Sequence, residues 1–226
     1  VWAAGQGGLL LHYDGATWRP VTSPANHSLY GLAHSHGEDL WAVGFAATIL
    51  RHSDDQWESF TRWTPEEMHD LLWDGGIGWA VGDRGKILHY DGEGWSWADS
   101  PISTPLYALG WSTPNDVWAV GEHGAILRHS GTDWVSVSSP TTMSLRGIAF
   151  NENSEGWAVG GDRNRSSRWS AGVILHYDGQ SWQTDLIGAE EPLHAVAFAA
   201  QDLGWAVGDD GAIWRYNRGK WWAESS

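Results

Sequence analysis

The tetrapeptide Trp-Ala-Val-Gly, or a near copy of it, begins at Trp2, Trp41, Trp79, Trp118, Trp157 and Trp205, in steps of 39, 38, 39, 39 and 48 residues. A second tryptophan follows each copy, at Trp18, Trp57, Trp95, Trp134, Trp182 and Trp221. A fixed period near 40 residues marks a repeat architecture, in which one supersecondary unit buries its apolar face only by stacking on copies of itself. Residues that recur in every unit are needed by the unit, so a ligand is read where the units differ.

Aligned on the tetrapeptide, each unit holds four short strand-like segments bounded by turn residues. The first reads LYGLAH from Leu29, MHDLLW from Met68, LYALGW from Leu106, LRGIAF from Leu145 and LHAVAF from Leu193. It is apolar at alternate positions with Gly, Ala or Asp in the middle, which suits a crowded innermost strand. The second segment is the tetrapeptide, the third reads ILHY or ILRH as at Ile87 and Ile126, and the fourth starts at the second tryptophan. Between third and fourth, Asp14-Gly15, Asp91-Gly92 and Asp178-Gly179 predict tight hairpins with positive φ at both central residues. Four antiparallel strands per unit of about 39 residues, with no helical periodicity, predict an all-β six-bladed β-propeller. It is expected to be one domain over residues 1–226, with blade parts starting near 1, 29, 68, 106, 145 and 193.

The innermost segment occurs five times and the other three occur six times, so the first blade is expected to lack its innermost strand. Unpaired backbone along Val1 to Gly5 is costly to leave open. Residues upstream of Val1 in a longer protein, or a segment of a neighbouring molecule, are expected to fill the slot. The same edge offers a route to self-association.

A chain of 226 residues suits one closed all-β ring. Its net charge of −15 has the wrong sign for neutralising phosphates, so neither nucleic acid nor an anionic membrane surface is an expected partner. The absence of cysteine removes disulfides, thiolate metal sites and cysteine nucleophiles. No apolar run approaches the roughly 20 residues that span a bilayer, and membrane insertion is not expected. Because the chain opens inside a repeat, it reads as a mature domain or an excised fragment.

The pattern GxWAVGxxGxILHYDGxxW, whole at Gly78 to Trp95 and close at Asp116 to Trp134 and Gly156 to Trp182, resembles the tryptophan-rich propeller repeats of bacterial cell-surface and secreted proteins. It is also similar to the photosystem II assembly-factor-like and Asp-box (sialidase-type, BNR) propellers. The resemblance covers essentially the whole chain at the level of the repeat. It implies a propeller fold and an extracellular or cell-surface location in a bacterium. It departs from the Asp-box, whose Asp lies five residues before the aromatic, because Asp14 to Trp18 and Asp91 to Trp95 are four apart. Propellers host unrelated activities, so no single member's function transfers.

The twelve repeat tryptophans are expected to pack between blades. Trp73 and Trp111, in one column with Phe150 and Phe198, are expected in the core, while Trp63, Trp97, Trp169 and Trp222 are candidate stacking platforms. His12, His52, His89, His129 and His176 belong to the third segment and read as packed histidines. No HExxH or similar close spacing occurs, so no metal, cofactor or catalytic residue is assigned. The acidic loops Glu38-Asp39, Asn115-Asp116 and Asn151-Glu152 read as solvated turns.

The second column of the innermost segment holds Tyr30, His69, Tyr107, Arg146 and His194. In a propeller these side chains are expected to gather at one mouth of the channel. The one large insertion, Gly161 to Gly172, should rise from the same face and bring Arg163, Arg165, Arg168 and Trp169. A loop that breaks a regular repeat is more often functional than structural. These nine residues form the expected ligand-binding site of a non-enzymatic module for a glycan or an anionic protein segment. The alternatives are a scaffold within a larger chain and a sialidase-like hydrolase. The hydrolase needs several arginines, a tyrosine nucleophile and an acid. The column offers Arg146 with Tyr107 or Tyr30, and Asp70 would have to be recruited as the acid.

Overall fold

The structure, a computed structural model, describes residues 1–35, 39–60, 65–74, 76–113, 115–163 and 170–224. Its contacts group the chain into two compact units, Val1–Pro105 and Leu106–Ser226. In the first unit, one three-stranded sheet holds β1 (Trp2–Ala4), β2 (Leu10–Tyr13) and β3 (Trp18–Val21). Two four-stranded sheets follow: β4 (Leu29–His34), β5 (Leu40–Gly44), β6 (Ile49–Ser53) and β7 (Gln56–Ser59), then β8 (Met68–Asp74), β9 (Ile77–Gly82), β10 (Ile87–Tyr90) and β11 (Trp95–Ala98).

The second unit has three four-stranded sheets. They are β12 (Leu106–Thr113), β13 (Asp116–Gly121), β14 (Ile126–His129) and β15 (Trp134–Ser136); β16 (Leu145–Phe150), β17 (Gly156–Arg163), β18 (Ser170–Tyr177) and β19 (Trp182–Ala189); and β20 (Leu193–Ala200), β21 (Leu203–Gly208), β22 (Ile213–Asn217) and β23 (Lys220–Glu224). Every sheet is an antiparallel meander, and the first has the three strands expected of it. Among the described residues the only helical segments are single 3-10 turns, and no helix is long and apolar enough to cross a membrane.

Within each unit, tryptophans join neighbouring sheets. Trp41 of β5 stacks on Trp73 of β8 at 4.9 Å and meets Trp95 edge-on at 5.8 Å. Trp157 of β17 stacks on Phe198 of β20 at 4.2 Å. Such ring pairs add about 0.5–1.5 kcal/mol beyond the area they bury. Trp41, Trp118 and Trp157 are completely buried, but Trp18 on the outer strand β3 is 49 % exposed and packs little.

The core reading of the Trp73 column fails at one position. Trp73, Phe150 and Phe198 lie opposite Gly78, Gly156 and Gly204, where a Cβ would sit 2.4–2.8 Å from the ring. The glycine lets the ring fold flat over the neighbouring strand. Trp111 lies opposite Val117 instead and is 39 % exposed, because the valine side chain occupies that space.

A cross-strand pair recurs on the tetrapeptide tryptophan. Its partner on the third strand is His12, Arg51, His89, Arg128, His176 and Arg215 in turn, a strict alternation. The histidines stack on the indole at 4.2–4.8 Å in blades one, three and five. Arg51 and Arg128 lie over theirs at 5.6 and 5.0 Å, a cation–π contact. Each of these two arginines grips the carboxylate that precedes the tetrapeptide, Asp39 and Asp116, with two short hydrogen bonds. These aspartates are thus partners of partly exposed arginines and not merely solvated. Burial would raise the Asp116 carboxyl, but the Arg128 and Ser112 hydrogen bonds outweigh it and hold it below the usual range. Asn151 likewise organises its own turn, accepting the N–H groups of Asn153 and Glu155.

The Asp-Gly hairpins are also built differently from the expectation. Only the glycine has positive φ, near 100° at Gly15 and Gly92 and 93° at Gly179. The aspartate instead turns its side chain inward: Asp14 Oδ1 accepts from Ala16 and Thr17 N–H at 2.9 Å, and Asp91 and Asp178 do the same. Such a side-chain bond replaces a backbone turn and removes the need for a second left-handed residue.

Candidate ligand-binding face

The second column of the innermost strand is a β-bulge in all five blades that have that strand. Leu29 pairs with Gly44 and Gly31 with Val43, which leaves Tyr30 outside the register. The ladder shifts in the same way around His69, Tyr107, Arg146 and His194. A bulged residue is left unpaired in the ladder, and bulges re-aim side chains. The register shift takes these five residues out of the ladder next to the end of each sheet where the second and third strands are joined.

At that end the chain makes a 3-10 turn directly after the tetrapeptide glycine, at Gln6–Gly8, Phe45–Ala47, Asp83–Gly85, Glu122–Gly124 and Asp209–Gly211. The first residue of the turn is fixed by its backbone: Phe45, Asp83 and Asp209 N–H donate to the carbonyls of Ser28, Glu67 and Pro192, which precede the bulged strands. This brings the turn's first side chain to the bulged one. His69 Nε2 lies 3.0 Å from Asp83 Oδ1, and His194 Nε2 lies 2.7 Å from Asp209 Oδ1. The acidic residue that follows Trp-Ala-Val-Gly in these blades is the sequence signal for this pairing.

In the first unit, Tyr30 and His69 come together with ring centroids 6.1 Å apart. Tyr30 is half exposed. Burial first, and then the charge of Glu67, push its phenol up. In the second unit the Arg146 guanidinium lies over the Tyr107 ring at 5.4 Å. The Nε of Arg146 is buried and has no hydrogen-bond partner among the described residues. Asp162, at the turn position of that blade, accepts instead from Ser144 N–H at 3.4 Å.

The insertion continues β17 and β18 as a longer hairpin, with Gly161 opposite Gly172, Asp162 opposite Ala171 and Arg163 opposite Ser170. Arg163 is thus placed at the end of β17, while Arg165, Arg168 and Trp169 lie outside the described residues, as does Trp63. Trp97 and Trp222 are exposed, the first with Lys86 Nζ 5.4 Å from its ring centroid. Among the described residues, no group of three or more His, Asp or Glu side chains is arranged to hold a metal ion.

This arrangement of sheets is shared with proteins of known structure. A structure described as YCF48 bound to D1 peptide aligns over 99 % of this chain and 76 % of its own, with a TM-score of 0.71 at 18 % identity. The WD40 repeats of RRP9 align over 98 % of this chain and 72 % of theirs, with a TM-score of 0.69 at 12 % identity. At such identities the likeness establishes the fold, a β-propeller. Among curated proteins, the immune protein Tsi7 of Pseudomonas aeruginosa is 36 % identical over 58 residues. That match is 26 % of this chain and only 19 % of Tsi7. The family model for the photosynthesis system II assembly factor YCF48 matches residues 103–217, just over half of the sequence. The chain belongs to the photosynthesis system II assembly factor YCF48 family.

Proposed function

We propose that this propeller is a non-enzymatic binding module for a protein segment, docked within the unit Leu106–Ser226 at the bulged residues Tyr107, Arg146 and His194. The observation that carries the reading is the buried Arg146 Nε, a donor without an acceptor among the described residues, set against the Tyr107 ring. A buried donor left unpaired costs about 1–3 kcal/mol, and a ligand carboxylate would supply its acceptor through a charge-assisted bond. In the same unit, Tyr107 and the paired His194 add a ring and a polar edge that suit backbone and side chains of an extended peptide. The YCF48 structure with a bound D1 peptide supports a peptide ligand for this fold family.

The test is calorimetric titration with a panel of short peptides ending in a free carboxylate, the same peptides amidated, and sialylated and neutral glycans. Carboxylate peptides are expected to bind, and Arg146→Gln is expected to weaken them at least tenfold, about 1.4 kcal/mol. Equal binding of amidated peptides, or binding of glycans alone, would overturn the reading.

A further inference from the structure

We infer a second interaction surface, independent of the ligand just proposed: within the unit Val1–Pro105, the surface where β5 ends and β4 begins takes an arginine presented by a basic segment of a partner protein. The surface is built around Ser28, the residue before β4. Its carbonyl accepts the Phe45 N–H at 2.9 Å, and its side chain and that of Glu67 both reach the Tyr30 phenol. Phe45 faces His27 with ring centroids 5.3 Å apart, and Tyr30 faces His69, which Asp83 holds. Rings and carboxylates therefore adjoin along one stretch of surface. Arg84, beside Asp83 on the same turn, goes to Glu66 at 3.7 Å.

Phe45 also stands where the repeat departs from itself. The 3-10 turns after the other tetrapeptides open on Gln6, Asp83, Glu122 and Asp209, all polar, whereas this one opens on a phenyl ring that is 39 % exposed. Those turns close on Gly8, Gly85, Gly124 and Gly211 at φ between 67° and 79°; this one closes on Ala47 at 48°, after Ala46 at 54°. Two successive alanines in the left-handed region are unfavourable, and such backbone persists only where the surroundings over-determine it. The Ala47 methyl does so by joining the core with Ile49 and Met68, which fixes the turn and holds Phe45 at the surface.

The chain itself shows what a ring beside a carboxylate holds. Arg51 lies over Trp41 at 5.6 Å and reaches Asp39 at 2.6 Å, and Arg128 lies over Trp118 at 5.0 Å and reaches Asp116 at 2.7 Å. Tyr107, another bulged tyrosine, carries the Arg146 guanidinium on its ring. Tyr30 with Glu67 repeats the ring and the carboxylate. Among the described residues no arginine or lysine lies over the Tyr30 ring, and none pairs with Glu67. A planar guanidinium stacks on a ring while its N–H fork meets a carboxylate, which the compact ammonium of lysine does less well. Charge points the same way: Val1–Pro105 has fourteen Asp and Glu against five Lys and Arg, so it draws a basic segment and repels an acidic one. The arginine sits on Tyr30 and Glu67, and its neighbours in the segment lie against Phe45.

The test is fluorescence anisotropy on the intact chain with the labelled peptide ARARARA, acetylated and amidated so that it brings no carboxylate to Arg146. Its lysine and glutamate counterparts, AKAKAKA and AEAEAEA, and a panel of neutral glycans serve as competitors. The arginine peptide should bind, the lysine peptide should bind more weakly, and the glutamate peptide and the glycans should not compete. Glu67→Gln should weaken the arginine peptide about tenfold, as loss of a charged hydrogen-bond acceptor does. Phe45→Ser, at an exposed position, should weaken it while melting like the parent. Glu93→Gln removes the same charge from an exposed hairpin of the same unit and should leave binding unchanged. Four results would overturn the inference: no binding of the arginine peptide, equal binding of the lysine peptide, equal losses in Glu67→Gln and Glu93→Gln, which would reduce the attraction to net charge, or displacement by a neutral glycan, which would give the surface to sugars.

Discussion

A single atom decides much of this fold. At Gly82 the methyl group of alanine would stand 1.9 Å from the Glu67 carbonyl oxygen, which is backbone and cannot swing away. Gly82→Ala is therefore expected to destabilise by about 1–3 kcal/mol, as overpacking does, measurable as a lower urea midpoint at unchanged slope. Trp118, with 1 % of its surface exposed, should cost roughly 3–5 kcal/mol on replacement by alanine. Trp222, 59 % exposed, should cost under about 0.5 kcal/mol. Comparable losses at the two tryptophans would mean that burial does not govern their worth. Tryptophan spacing made the buried set readable in the sequence, yet Trp111 and Trp18 escaped that reading. Their burial depends on what stands across the strand or beyond the sheet edge, Val117 in one case and an outer edge in the other.

At the scale of the element, strands and their order follow directly from the repeat, because four apolar runs punctuated by Gly and Asp allow little but a meander. The hairpins show where type information is lost. An Asp-Gly pair marks a turn, but whether aspartate enters the left-handed region or caps with its side chain depends on loop length. Here four residues from Asp91 to Gly94 leave room for the side-chain bonds. Asp91→Asn should keep those acceptor bonds but lose the contribution of the charge, whereas Asp91→Ala, which loses both, should lower the melting temperature further; equal effects would show that the side-chain oxygen is irrelevant. The bulge was legible only as a column of odd residues in an apolar strand. The His–Asp contacts at 3.0 and 2.7 Å left one trace in the sequence, the acidic residue after the tetrapeptide glycine, but they join residues 14 and 15 positions apart through a turn whose path the sequence does not announce.

For the molecule as a whole, acid should act in two stages. Burial holds the His129 imidazole below its ordinary value of 6.5, so the fold favours the neutral ring. That contribution is complete above pH 6.5 and is lost as pH falls through the lowered folded-state value. Asp14, Asp91 and Asp178 are lowered by their turn hydrogen bonds and Asp116 by Arg128 against burial, all from 3.8. Their support is complete above about pH 4 and disappears below it as they protonate. Urea midpoints measured from pH 8 to pH 2 should decline gently below 6.5 and steeply below 4, and His129→Gln should flatten the first stage only. A curve that rises on acidification would contradict both assignments. The register shift beneath Tyr30, His69, Tyr107, Arg146 and His194 has a consequence for descent. The residue at each shift is outside the ladder, so a substitution there leaves the strand-to-strand hydrogen bonds as they are. A lineage of such chains can vary at these five positions while its blades stay the same.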